Sequence, residues 1–391
     1  VTCLLCRKMR KLMRLGKASP REEQERLSGN SLQPRSSNGL IVLTGEASLA
    51  IVRTSMNDHV KIPAKSRNPY YQGPVSNHFD GEHFFNPGRR WQKSPGDLLR
   101  WMMERKPERW PASHPSPYMD APPHRVPGRD IRLSYVGHAS FLLQTGGLNI
   151  LIDPVWSERV SPLRFVGPKR VNPPGIPFEK LPPIDVVLVS HNHYDHLDIP
   201  TLRRLHAVHA PRIVTPLGND TIIRDAHAGI RAEAHDWGAR VELGPNIAVH
   251  FEEAYHWSAR GIRDRLRALW AAFVIETPAG RIYHVGDTGY HDGKIFPAAR
   301  EKHGRLKLAI LPIGAYEPRW FMAEQHMNPD EAVRALIALG AERAVAHHWG
   351  TFQLTNEGVT RPPEDLKKAL ATHKVDEKKF VVLRPGEVLN A

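Results

Sequence analysis

The chain has 391 residues, 41% of them hydrophobic and 24% charged, with a formal net charge of +13. This is the make-up of a globular protein with enough apolar residues for one large core or two ordinary ones. No run of about 18 apolar residues could cross a membrane as a helix. Cys3 and Cys6 are the only cysteines, which excludes a disulfide framework and leaves no thiolate for catalysis in the rest of the chain.

Residues 1–55 carry ten Lys/Arg against four Asp/Glu and read as a non-globular basic tail or as sequence upstream of a start near Met56. A peptide from 21–50 in mass spectra of the native protein would exclude the second reading. The opening order, apolar then basic, is the reverse of a secretory signal, so the expected location is cytoplasmic. The spread of charge along the chain suits an anionic substrate or the inner face of an anionic membrane, touched peripherally, and no specific nucleic-acid partner is expected. Residues 56–129, rich in Pro, Trp and Asn, predict an irregular arm packed on the core. Within it SPGDLLRWMMER predicts a helix with Ser94 as N-cap and Pro95 at the first position. Its face of Leu98, Trp101 and Met102 is expected to pack in the core, the alternative being a lipid-facing surface.

From residue 130 the pattern is regular. IRLSYVG, SFLLQT and LNILID, with Gly146-Gly147 between the last two, predict an antiparallel meander. Later strands alternate with helices: DVVLVS before IPTLRRLHAV, RIVTP before NDTIIRDAHA, KLAILPI before PDEAVRALIAL. The predicted fold is α/β, two sheets with outer helices, filling residues 130–391.

The chemistry concentrates in SHNHYDHLD, residues 190–198, directly after the apolar run VVLV. His191, His193, Asp195 and His196 are imidazole and carboxylate donors of the kind that hold zinc. Four donors in six residues are too close to complete one tetrahedron but can serve two adjacent ions. The missing donors must come from other strand ends, and His256, Asp287 and His348 each follow one. Asp287, with two oxygens, suits a bridge between two cations.

Longer strings carry a resemblance. VGHAS, LIDPVWS, GPKR, SHNHYDHLD, GDTGY, GAYEPRWFM and HHWGTF make the chain similar to the metallo-β-lactamase superfamily, and within it to the N-acyl-phosphatidylethanolamine-hydrolysing phospholipase D family. The resemblance covers about residues 130–385. It implies an αββα sandwich of two mixed sheets with two Zn²⁺ on its rim, other divalent metals being alternatives. By position, one zinc takes His191, His193 and His256, the other takes Asp195, His196 and His348, and Asp287 bridges them. Asp153 is then expected to hold a ligating imidazole. His138 either lines the site or hydrogen-bonds a loop. His326, just before a helix, is placed to donate a proton to a leaving group or to contact phosphate, beside Asp195 and Asp287 as catalytic residues. Lys169 and Arg170 are candidates for holding phosphate, Arg319 and Trp320 for lining the pocket or packing. The implied activity is phosphodiester hydrolysis of phospholipase D type on N-acyl-phosphatidylethanolamine-like lipids, with a metal-bridging hydroxide as nucleophile. The alternatives are a lactonase of the L-ascorbate-6-phosphate lactonase type and a nuclease. Members of the family form dimers, so a homodimer is also implied.

Overall fold

Ser94 caps the first helix as its sequence predicts. In α1 (Pro95–Glu104) the Ser94 hydroxyl accepts from Asp97 N, and the Asp97 carboxylate accepts from Ser94 N at 2.8 Å, a reciprocal capping box. The structure is a computed structural model that describes residues 68–89, 93–163 and 165–391, all within the unit Lys61–Ala391. The expectations for residues 1–55 lie outside the described residues.

The meander forms as read: β1 (Ile131–Gly137), β2 (Ser140–Thr145) and β3 (Leu148–Ile152) pair antiparallel. Gly146 and Gly147, both at positive φ, make the two-residue turn between β2 and β3, a conformation that matches the strands' twist and costs glycine least. The chain then runs parallel through β4 (Val186–Leu188), helix α2 (Ile199–His209), β5 (Arg212–Pro216), helix α3 (Asn219–Ala226) and β6 (Ala232–His235). A second meander follows, β7 (Arg240–Gly244), β8 (Ile247–Glu252), β9 (Ala272–Thr277) and β10 (Gly280–His284). It continues in parallel register through α4 (Ile295–His303), β11 (Leu306–Pro312), α5 (Arg319–Met322), α6 (Pro329–Leu339), β12 (Arg343–His347), α7 (Arg361–Thr372) and β13 (Phe380–Val381). The last strand, β14 (Val388–Asn390), returns to pair with β1. The result is two seven-stranded mixed sheets, β14-β1-β2-β3-β4-β5-β6 and β13-β12-β11-β10-β9-β8-β7.

One buried cluster joins the inner faces, with Leu133, Phe141 and Ile150 of the first sheet against Phe251, Phe273 and Ile310 of the second. A second cluster lies under α2 and α3, and a third under α4, α6 and α7. Each fully buried Leu, Ile or Phe contributes about 1.5–3 kcal/mol, so this three-layer burial is the main stabilising term. The αββα sandwich expected from the resemblance is what the chain forms.

The arm is irregular but tied down. Phe79 and Phe84 are buried against the second sheet's outer layer, and His78 Nε2 lies 2.7 Å from Asp236. The reading of α1 as a core helix is corrected: Leu98 and Met102 are 47% and 49% exposed. Only Trp101 packs, stacked on Phe321 at 5.2 Å. An amphipathic period says that a face meets something apolar. Here it flanks a cavity mouth instead of a core.

Candidate metal centre

β3, β4 and β5 are parallel neighbours in one sheet, β10, β11 and β12 in the other, so the loops leaving each set gather on one edge. His191, His193, Asp195 and His196 follow β4, His256 follows β8, Asp287 follows β10 and His348 follows β12. The donors form two groups of four, His191–His193–His256–Asp287 and His138–Asp195–His196–His348. In the first, His193 Nδ1 lies 2.9 Å from His191 Nε2 and 3.2 Å from His256 Nε2. In the second, Asp195 Oδ2 lies 3.3 Å from His348 Nε2 and 3.8 Å from His196 Nε2. Asp287 Oδ2 stands between them, 3.1 Å from His348, 3.3 Å from His196, 3.8 Å from His256 and 3.9 Å from His191.

Outer partners fix the ring orientations. His196 Nδ1 donates to Asp153 at 2.7 Å, His256 Nδ1 to the Gln325 carbonyl at 3.0 Å, and His191 Nδ1 faces the Ser190 hydroxyl at 3.0 Å. The opposite nitrogen of each of these rings is left for the centre. His138 Nε2 donates to Asp195 at 2.9 Å, so of its two sequence readings the structure gives it a place inside the site, holding the carboxylate.

The electrostatics call for a cation. Burial pushes the Asp195 and Asp287 carboxyls up, but the facing imidazoles outweigh it and hold both well below the usual range. Burial lowers His193 to about 3 and His256 to about 4, so these rings are neutral, as ligands must be. Burial also opposes protonation of His348, yet Asp287 and Asp195 raise it to about 9. His196 Nε2 and Asp287 Oδ1 are buried with no hydrogen-bond partner among the described residues. Buried imidazole and carboxylate atoms gathered in this way are the donor types that hold divalent metal ions.

The centre opens into a cavity of about 500 Å³. His193, Asp195, Asp287 and His326 form one side, and Leu98, Trp101, Val160, Phe321, Met322 and Leu354 an apolar wall. His326 Nδ1 is 3.8 Å from Asp287 Oδ2, and Arg319 donates to the His326 carbonyl at 2.9 Å while pairing with Glu331. Arg319 therefore acts on the loop that carries His326. Trp320 does not line this cavity; its ring lies under the Arg100 guanidinium at 4.5 Å. Lys169 and Arg170 are not brought to it either. Lys169 is exposed on Glu158 at 2.7 Å, and the buried Arg170 stacks over Phe352 and faces the Val155 carbonyl. A larger groove of about 790 Å³ between α7 and β13 contains none of the donors.

Sequence reading missed Ser190, Gln325, Trp257 and Arg265. Ser190 and Gln325 are common polar residues whose role exists only through contacts with distant donors. Trp257 and Arg265 sit in HWSARGIRDRLR, which has no period to say which residue turns inward.

The family model of the beta-lactamase superfamily domain matches residues 148–349. The chain is 34% identical to N-acyl-phosphatidylethanolamine-hydrolyzing phospholipase D 1 of Caenorhabditis elegans, over 81% of this chain and 94% of that protein. It is equally similar, at 34%, to an uncharacterized protein of Mycobacterium tuberculosis over 74% of this chain and 77% of the relative. Isothiocyanate hydrolase from Delia radicum gut bacteria shares the fold with a TM-score of 0.53 at 20% identity, covering 66% of this chain and 98% of that one.

Proposed function

Because this chain belongs to the β-lactamase superfamily and is a metal-dependent hydrolase of that fold, we propose that it is a di-zinc phosphodiesterase of phospholipase D type acting on N-acyl-phosphatidylethanolamine-like lipids. The observation that carries this reading is Asp287 Oδ2, set within 3.9 Å of imidazoles from both donor groups at the floor of a cavity with an apolar wall. One group would hold a first ion through His191, His193 and His256, the other a second through Asp195, His196 and His348, with Asp287 shared. Bound there, the ions would lower the pKa of water and stabilise charge building on phosphorus. The similarity to the nematode phospholipase supports the choice of substrate.

The reaction adds water to phosphorus and breaks the P–O bond to the headgroup, leaving phosphatidic acid and an alcohol. The protein's own part is placement. Trp101, Phe321 and Leu354 give the lipid's apolar portion a dry wall, which fixes the phosphate over the polar side. His326 lies on that side, outside the proposed ligand set; burial holds its imidazole well below the usual range, so the neutral ring would hydrogen-bond the phosphate or the leaving oxygen, and water would supply the proton. Replacing His326 by Ala should lower kcat about 100-fold while metal content stays at the wild-type level. An unchanged rate would remove His326 from the mechanism.

The test of the whole reading pairs metal analysis with N-acyl-phosphatidylethanolamine, bis(p-nitrophenyl) phosphate and a lactone panel. Two zincs per chain with preference for the lipid supports it. Lactone opening alone keeps the centre and discards the substrate. Absence of both metal and turnover defeats the reading.

No helix among the described residues is long and apolar enough to cross a membrane. Contact with lipid would be peripheral, through Leu99 and Met103 on α1 and Leu163, Phe165 and Val166 on the loop beyond Val160, all more than 40% exposed. Both segments also line the cavity, through Leu98 and Val160. Met103→Glu with Phe165→Glu should abolish co-sedimentation with phosphatidylglycerol vesicles but leave turnover of the soluble diester unchanged. Undiminished sedimentation would place the membrane contact elsewhere.

A further inference from the structure

We propose that Arg265 recognises the negative charge of the substrate, making this centre selective for substrates with an anion beside the scissile bond. The inference rests on the phosphodiester reading for the identity of that anion, though not for its charge. Arg265 is half-buried and lines the same cavity as His193, Asp287 and His326. Its guanidinium lies over the Trp257 ring at 4.9 Å, and Trp257 meets the His193 ring edge-on at 4.5 Å. One aromatic layer thus separates the cation from a proposed metal ligand, and that layer holds the guanidinium plane in place.

The guanidinium is charged. Burial lowers the guanidinium to about 10 and Glu324 opposes the fall, so it is cationic at neutral pH. Lys93, also on the cavity wall, sits 3.6 Å from Glu324. A partly desolvated guanidinium attracts an anion more strongly than a solvated one, and its fork matches two oxygens of a phosphate. Lys169 and Arg170, the cations that local sequence brings forward, are engaged away from this cavity.

The experiment compares Arg265→Gln and Arg265→Lys with the wild-type holoenzyme, after metal content and thermal midpoint have been measured. For bis(p-nitrophenyl) phosphate, Gln should raise KM about 10- to 100-fold with kcat within about threefold and metal content unchanged. Lys should fall between Gln and wild type. An unchanged KM in the fully metallated Gln variant overturns the proposal. A wild-type enzyme that opens lactones but leaves the diester intact would defeat the phosphodiester reading, not this one. In that case a phosphate-bearing lactone is compared with an uncharged lactone on the same proteins. Loss of preference for the anion in the Gln variant supports Arg265, and retention overturns it.

Discussion

Replacing Asp287 by Asn is expected to reduce hydrolysis about 1,000-fold or more, several kcal/mol of transition-state stabilisation, while the protein stays folded. Asp287 Oδ2 faces imidazoles of both donor groups. Asparagine keeps the shape and removes the charge, and whichever way its amide turns it cannot supply an anionic oxygen to both ions. The two sheets do not depend on it, because the residue lies on the rim and the core between the sheets is apolar. Metal analysis should find fewer ions per chain, and the far-ultraviolet circular dichroism should match wild type. Full activity in this variant would break the assignment of the shared ligand.

Asp153→Ala should fail differently, losing stability and metal affinity together. The carboxylate is fully buried and accepts from Ser190 N at 2.7 Å, the Ser190 hydroxyl at 2.6 Å and His196 Nδ1 at 2.7 Å. Alanine leaves three donors unpaired in a dry place, a loss of about 3–5 kcal/mol when a buried charged partner is removed. His196 also loses the contact that fixes its tautomer, which should weaken metal binding about 10- to 100-fold. Residue 153 has φ +43°, a conformation that Asn tolerates better than Ala. Asp153→Asn should therefore recover part of the stability but less of the metal affinity, since its amide can turn only one acceptor to Ser190 and His196. Chemical denaturation and a metal titration would separate the two effects. A wild-type midpoint together with wild-type affinity in the Ala variant would refute the role given to Asp153.

These two residues also mark how far the sequence could be read. Asp287 is legible because it follows a strand-like run and precedes a glycine turn, and the same local sign exposes His191, His193, His256 and His348. The strands themselves are legible from alternation and turn glycines, and β1, β2 and β5 have the bounds their runs predict. Partners are another matter. Asp153 meets Ser190 and His196 because β3 and β4 are neighbours, a fact about strand order that no local pattern contains. The face of α1 misled because a face at a cavity mouth and a face buried in a core have the same period. Lys169 and Arg170 misled because charge alone does not say which way a loop turns. Arg265 was invisible for the converse reason: its place depends on packing against Trp257.

The distribution of donors over both sheets bears on biosynthesis. The histidine-rich loop after β4 leaves the ribosome well before Asp287, and His348 emerges only when β12 is being laid beside β11. A nascent chain therefore carries many of the donors without possessing the site. The full donor set therefore exists only where the ends of both sheets meet, and the complete centre is a property of the folded chain rather than of any one segment.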